Sequence, residues 1–342
     1  MNTRLGDKYI NTSHGSGGKA MRTLIEDVFV AAFGHVQPED SAVLSLAAAG
    51  ARGDRLAFTT DTYVVDPLFF PGADIGALAV AGTVNDLAVS GALPLFLSCG
   101  MVLEEGLAVA TLHRVVASMR EMADRAGVMI VTGDTKVVER GAADKMFINT
   151  AGIGIIAEGI MVSAANARPD DVVIVSGSLG DHGVAILIAR NQLSLEAEIA
   201  SDCQPLNSLV AAMLRACPAI HCLRDATRGG VATVLNEFAV ASRVCIRIRE
   251  HDLPMQEPVR GACEILGLDP LYLANEGKLV AVVPPSDADR VLAAMRAEPA
   301  GAEAAIIGEV IREPAGMVVM ETGFGGERIV DMLSGEQLPR IC

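Results

Sequence analysis

The chain has 342 residues, 51% of them apolar, and carries a formal net charge of −15 with no Trp and only three Tyr. So acidic a surface repels nucleic acid, and the aromatic platforms on which bases stack are missing. The same field opposes nucleotide triphosphates unless magnesium and local Lys, Arg or backbone N–H groups carry them. No apolar run reaches transmembrane length, and Met1 to Asp7 lacks the charged-then-apolar pattern of a secretory signal. Seven scattered cysteines (99, 203, 217, 222, 245, 263 and 342) contain no C-x-x-C pair, which argues against a disulfide framework and against a zinc knuckle. The expectation is a cytoplasmic chain, long enough for two domains.

In chain order, Met21, Leu24, Ile25 and Val28 set a helical period after a Gly-rich stretch, and Arg55 to Val65 is strand-like in its β-branched and aromatic content. Asp74, after Pro71-Gly72, caps a helix of small and apolar residues running to Val89. A strand over 95–103, an amphipathic helix over 107–126 ending at Gly127, a short buried strand over 128–131 and a strand over 146–156 follow. Asn166 to Asp171 is the linker candidate. Beyond it the pattern predicts strands at 172–176, 244–248, 278–283, 304–310 and 317–321, with helices at 183–190, 206–216, 230–241, 258–266 and 287–295. The parse is two α/β domains, 1–165 and 166–331, with a tail from 332 to 342.

Several motifs can carry chemistry. Ser13-His14-Gly15-Ser16-Gly17-Gly18-Lys19 is either a phosphate cradle or an N-terminal arm; Ser13 and Ala20 depart from the Walker A pattern. Gly152-Ile153-Gly154 ends an apolar strand with no helix opening from it, and reads as close packing rather than a dinucleotide fingerprint. Cys217 to Cys222, with His221, has no second metal-ligand cluster and reads as core. Carboxylates beside small or polar residues recur at Glu39-Asp40, Asp61-Thr62, Asn85-Asp86, Gly133-Asp134-Thr135-Lys136 and Asp225 to Gly230. Singly each suits a cap or turn; five together suit magnesium, which keeps waters and takes phosphates as its other ligands. Asn85-Asp86 stands out because polar groups inside an apolar helix are costly unless paired. Ala274-Asn275-Glu276-Gly277-Lys278 precedes a buried strand, where a carboxylate has its pKa raised and can serve as a base; a polar turn is the plain alternative.

Taken together, His14 to Gly18, Thr60-Asp61-Thr62, Thr83 to Gly91, Leu97 to Gly100, Thr132 to Val138, Ser178-Leu179-Gly180-Asp181-His182-Gly183, Leu223 to Gly230, Ala274 to Lys278 and the final Pro339-Arg340-Ile341-Cys342 resemble the HypE family of carbamoyl dehydratases of [NiFe]-hydrogenase maturation. That family lies in the superfamily of aminoimidazole ribonucleotide synthetase and selenophosphate synthetase. The terminal tetrapeptide is its most specific mark. The resemblance implies a two-domain PurM-like α/β (α+β) fold. Its N-terminal sheet pairs across a homodimer into a barrel, and its C-terminal tail is flexible.

It also implies a reaction. A carbamoyltransferase, HypF, loads a carbamoyl group onto Cys342; the amide oxygen attacks the γ-phosphate of ATP; loss of phosphate and two N–H protons leaves a thiocyanate; cyanide passes to iron on a HypC–HypD complex. Carried over by position, Glu276 is the base, and Lys136 either steadies the transferring phosphoryl group or holds the amide in place. Asp40, Asp86 and Asp225 hold Mg2+. His14, Gly15, Gly17, Gly18, Lys19, Asp61, Asn85, Gly133, Asp134 and Thr135 line the ATP site. Glu39-Asp40-Ser41 stands where the superfamily commonly has paired aspartates. On the residues alone, a terminal thiol has no chain beyond it to bury it. Its own α-carboxylate raises its pKa above the usual ~8.5, with Arg340 partly offsetting that charge. A synthetase acting on a free small molecule, and a carrier without ATP chemistry, are the competing readings.

Overall fold

The computed structural model describes residues 6–16, 19–34, 53–190, 199–332, 338 and 340–342. Asp40, Gly17, Gly18 and Pro339 therefore lie outside the described residues. Helix α1 (Lys19–Leu24) passes through a π-helical turn at Ile25–Val30 into α2 (Ala31–Phe33). The first sheet contains β1 (Arg55–Tyr63), β4 (Ala92–Glu104), β5 (Met129–Val138) and β6 (Met146–Ile156), in the order β1-β6-β4-β5; a small ribbon of β2 (Phe69–Phe70) and β3 (Ala73–Asp74) stands beside it. The β1–β6 and β4–β6 pairs are antiparallel, and β4–β5 is parallel.

Helix α3 (Ile75–Val89) lies on the inner face of this sheet. Asp74 caps it by accepting from the backbone N–H of Gly76 and Ala77 at 2.8 and 3.0 Å, as the sequence predicts. Every residue of α3 except Asp86 is buried, because a helix apolar all round has no solvent face to offer. It packs against the first sheet, against α4 (Val109–Ala126) and against the second half of the chain. Helix α4 buries one stripe, Leu112, Val115, Val116, Met119, Met122 and Ala123, and stops where Gly127 turns left-handed at φ 68°.

The second sheet comprises β7 (Val172–Val175), β8 (Cys222–Asp225), β9 (Cys245–Arg249), β10 (Leu279–Val283), β11 (Ala305–Ile311), β12 (Met317–Glu321) and β13 (Glu327–Ile329), in the order β13-β12-β9-β11-β7-β10-β8. It is antiparallel except at β12–β9. Strand β10 is buried along its whole length, which explains its unbroken Leu-Val-Ala-Val-Val run. Around it lie α5 (Asp181–Ala189), α6 (Asn207–Ala216), α7 (Gly230–Ser242), α8 (Glu257–Leu266) and α9 (Ala288–Arg296). α6 and α9 contribute to one apolar cluster on the sheet, α7 to the other.

Three differences from the sequence reading matter. Strand β5 runs to Val138, so Asp134 lies within a strand and not after one. Strand β8 was not predicted; four residues at a sheet edge carry too little pattern. Cys342, expected to have nothing to bury it, is only 8% exposed, because the tail returns into the core. Among the described residues no helix is long and apolar enough to cross a membrane.

Candidate functional site

The junction of the two halves gathers four of the anticipated carboxylates. Asp61 and Thr59 lie two residues apart on β1 and so share one face of the sheet. Asp86, on α3, accepts from Thr59 Oγ1 at 2.9 Å. Asp225 closes β8, and Glu276 sits in the turn entering β10. Strand pairing joins the last two: Leu279 is opposite Asp225, and Asn275 donates through Nδ2 to the Ala226 carbonyl at 2.8 Å. An open cleft of about 630 Å³ contains Thr59, Asp86, Arg224, Asp225 and Thr227 on its walls.

Burial and neighbouring charge raise Asp86, Asp225 and Glu276. Burial, followed by the Asp86 charge, pushes Asp225 up to about 7. Burial also raises Asp86, opposed by the Thr59 hydroxyl and reinforced by Asp61. Glu276 is raised well above the usual carboxylate range by burial, then by the charges of Asp202, Asp225 and Asp61. Its Oε1 is buried without a hydrogen-bond partner. Nearby Arg224 is engaged by Glu237 at 2.9 Å. Mutually repelling oxygen ligands beside an open cleft fit a hard divalent cation that completes its shell with water and phosphate. Among the described residues no three His, Cys, Asp or Glu groups enclose a metal by themselves.

The turn bearing Glu276 is held from several directions. Asn275 Oδ1 accepts from the Gly180 N–H at 2.8 Å. Asp202 accepts from the backbone N–H of Glu276 and Gly277 at 3.0 and 3.2 Å and pairs with Lys278 at 3.5 Å. Asn85 spends its amide on the same place: Nδ2 donates to the carbonyls of Gln204 (3.1 Å) and Glu276 (3.4 Å), while Oδ1 accepts from the Leu206 N–H at 2.7 Å. The polar residue inside the apolar helix is thus a strut between domains.

The tail comes to this region as well. The Val64 N–H donates to the Cys342 carbonyl at 3.1 Å, and the Asp66 N–H to the Arg340 carbonyl at 3.4 Å. His182 Nε2 lies 2.8 Å from the Ile341 carbonyl and Nδ1 2.8 Å from Ser201 Oγ. Because a carbonyl only accepts, Nε2 carries the proton and Ser201 donates to Nδ1. Burial lowers the His182 pKa, which keeps the ring neutral. Ile341 and Cys342 share an apolar cluster with Cys203 and with Ala274, two residues before Glu276. Arg340 donates through Nε to the Val64 carbonyl at 3.0 Å and through Nη1 to Asp144 Oδ2 at 2.7 Å. Asp144 therefore balances the charge expected to offset the α-carboxylate.

Other anticipated residues lie elsewhere. His14 is buried, accepting through Nδ1 from the Asn11 N–H at 3.1 Å, with Asp7 3.4 Å from Nε2. Gly15 lets its loop lie on β5, since a Cβ there would stand 2.9 Å from Val137 N and Cβ. Lys19 opens α1 in solvent. Asp134 and Lys136 point away from α3, paired with each other at 2.8 Å and both more than half exposed; Thr135, between them, is buried, and Gly133 approaches the Cys99 carbonyl. Sequence reasoning assigned no role to Asp202, His182, Arg190 or Asp144. His182 stood inside a quoted motif; Asp202 has no local signal, its partners being some seventy residues away in the chain.

Two sheets, a buried inter-domain helix and acidic residues at their junction define a class, and family models agree: "AIR synthase related protein, N-terminal domain" matches residues 38–156, and "AIR synthase related protein, C-terminal domain" matches 168–321. The chain is 56% identical over 338 residues to the carbamoyl dehydratase HypE of Rhodobacter capsulatus, covering 99% of both chains. A crystal structure of HypE in complex with ATP superposes with a TM-score of 0.92 at 50% identity, covering 97% of this chain and 99% of that one. HypE from a HypE–HypF complex superposes with a TM-score of 0.80 at 48% identity, covering 91% and 99%. This chain belongs to the HypE family of carbamoyl dehydratases.

Proposed function

We propose that this enzyme dehydrates a carbamoyl group carried on its own Cys342, converting S-carboxamide to thiocyanate at the expense of ATP, and so supplies the cyanide ligands of the [NiFe]-hydrogenase iron. One observation supports the reading: Cys342 is drawn into the apolar cluster that contains Ala274, two residues before a buried carboxylate, Glu276, that has an unpartnered oxygen and a raised pKa. An amide loses oxygen only when that oxygen becomes a good leaving group, which phosphoryl transfer from ATP provides. The amide oxygen takes the γ-phosphoryl group, the C–O bond breaks to release phosphate, and both N–H protons depart. Glu276 accepts a proton at the amide nitrogen, since burial makes its carboxylate a strong base.

Asp86 and Asp225, with Asp40, would hold Mg2+, which would neutralise the phosphates. His14, Gly15, Gly17, Gly18, Lys19, Asp61, Asn85, Gly133, Asp134 and Thr135 are proposed for the nucleotide site, with Asn85 acting through the Glu276 turn. HypF is proposed to load Cys342 and HypC–HypD to receive the cyanide. That last transfer returns the thiol with two electrons from the receiving complex.

Within one protomer Lys136 does not meet Glu276 or Cys342, so its part in steadying the phosphoryl group depends on a second copy. Supporting a dimer, the outer face of the first sheet exposes Leu56, Phe58, Leu93, Met129 and Ile153 at 37–71%. An apolar face of this kind is stable in water when covered. Phe58→Glu is therefore expected to shift the protein from dimer to monomer in sedimentation velocity and to lower dehydration with it; an unchanged dimer would refute the interface.

Intact mass of the full chain after incubation with carbamoyl donor, transferase and then ATP tests the function. Gain of one carbamoyl group on Cys342, then loss of water on adding ATP, is the expected result. Loading without that loss would indicate a carrier. ATP turnover with an unmodified Cys342 would indicate a free substrate.

A further inference from the structure

Tyr63 ends β1 on the same face as Thr59 and Asp61, and it packs on α3. It is 1% exposed, and its hydroxyl abuts the backbone of Gly82, where a Cβ would stand 2.2 Å from Oη. Gly82 lies one helical turn before Asn85 and Asp86. Asn85 donates to the Glu276 carbonyl and Asp86 accepts from Thr59, so the phenol and the Glu276 turn approach the same stretch of one helix. Val64, the residue after Tyr63, donates its N–H to the Cys342 carbonyl.

Among the described residues, Tyr63 Oη and Glu276 Oε1 are both buried without a hydrogen-bond partner. Burial, then the Asp61 charge, raises the Tyr63 pKa well above its usual value; Glu276 and Asp86 add to the rise and Thr83 opposes it. The phenol therefore keeps its proton and stands as a donor. Thr83 leaves Oη unsatisfied, since its own proton goes to Thr150 Oγ1 at 2.6 Å, Thr150 in turn donating to the Ala79 carbonyl at 2.9 Å. A buried donor and a buried acceptor with nothing to bind are costly. One group satisfies both by presenting an acceptor and an N–H side by side. A primary carboxamide does so: its oxygen accepts from the phenol and its nitrogen donates to the carboxylate.

We propose that Tyr63 is a substrate-binding residue of the dehydration, its hydroxyl donating to the oxygen of the carboxamide on Cys342 while Glu276 faces the nitrogen. This rests on the functional reading above. The carboxamide oxygen has two lone pairs; one accepts from Tyr63 and the other stays free to attack the γ-phosphorus. As Glu276 takes a proton from nitrogen, negative charge moves onto that oxygen, and a donor already aimed there stabilises it. Tyr63 keeps its own proton throughout. Gly82 is the matching requirement on α3, because a side chain there would push the phenol aside.

The test uses the full chain carrying an isotope-labelled carbamoyl group on Cys342. In Tyr63→Phe the isotope-edited infrared carbonyl band of the carboxamide should move to higher wavenumber, the sign of a lost hydrogen bond. Single-turnover dehydration, followed by intact mass, should slow about 10- to 100-fold. Loading by the transferase and the ATP affinity of the unloaded chain should match the parent. Unloaded Tyr63→Phe should melt at or above the parent temperature, because the change removes an unsatisfied buried hydroxyl. A second measurement keeps the native fold: fluorine NMR of protein made with ring-fluorinated tyrosine, which has only three such residues to assign. The Tyr63 resonance should shift on loading, while exposed Tyr9 and Tyr272, whose hydroxyl donates to the Asp331 carbonyl, should not. A carbonyl band unmoved in Tyr63→Phe, with a lowered melt, would assign the hydroxyl to an ordered water only and overturn the proposal. Dehydration at the parent rate, or a Tyr63 resonance indifferent to loading, would overturn it too. If the loaded parent itself fails to dehydrate on adding ATP, the functional reading falls, and the carbonyl band still decides whether Tyr63 holds the carboxamide.

Discussion

Glu276→Gln should accumulate the S-carboxamide on Cys342 and lower its dehydration by about 10²–10⁴-fold, the range set by loss of a positioned proton acceptor. The substitution keeps shape and removes only basicity. Since burial and the charges of Asp202, Asp225 and Asp61 raise the Glu276 pKa, ionised Glu276 burdens the folded state. The sign follows directly: the unfolded chain releases this proton near ~4.3, the folded one at higher pH, so folding loses stability as pH rises between the two values. Glu276→Gln should therefore match the parent in Tm at pH 4 and exceed it at pH 7. Loading by the transferase should continue. A variant that still dehydrates at the parent rate would remove Glu276 from the chemistry; one that also fails to load would point to a structural role.

The second large effect belongs to Gly277→Ala. A Cβ at this position would stand 1.9 Å from the Asp202 carbonyl oxygen and 2.7 Å from Gln204 Cγ. The first is backbone and yields only if the turn moves. Asp202 also holds the N–H groups of Glu276 and Gly277, so movement breaks both hydrogen bonds and displaces the proposed base. A clash of this kind costs about 1–3 kcal/mol, and the broken pair adds to it. We expect Tm to fall by ~5–10 °C and dehydration to fall about 10²-fold, the penalty for misplacing a catalytic group by about 1 Å. Gly261→Ala in α8 is the matched control: nothing lies within 4 Å of its Cβ, and Ala should leave the melt unchanged or raise it slightly. Normal melting and rate in Gly277→Ala would show that the close approach to Asp202 is not needed.

Much of this architecture was legible because it is written locally. Asp74 before a run of small apolar residues is a cap, Gly127 after an amphipathic stripe is a stop, and Leu279–Val283 is a buried strand on its hydropathy alone. A raised Glu276 pKa followed from the same reasoning, since a carboxylate entering such a strand must be desolvated. Strand β5 was cut short because Thr132 to Lys136 looks polar, and it is polar because one face of that strand points away from the core. Residues Asp134 and Lys136 consequently fell into a group with Asp61 and Asp86 in sequence, while in space they lie on the opposite face of the sheet.

By itself the sequence determined most of the longer elements, the acidic character of the candidate site and the identity of the motifs, for these depend on residue type and short-range period. Tertiary structure alone decided that Asn85 bridges two domains, that Asp202 holds the Glu276 turn, and that His182 donates to the Ile341 carbonyl. Each is a hydrogen bond to a backbone group, whose partner is set by proximity and not by residue type, so no pattern along the chain announces it. The same holds for Cys342. Its place in the order of residues suggested an exposed thiol, and its place in space, in the apolar cluster that also holds Ala274 and Cys203, gives it a seat in the core.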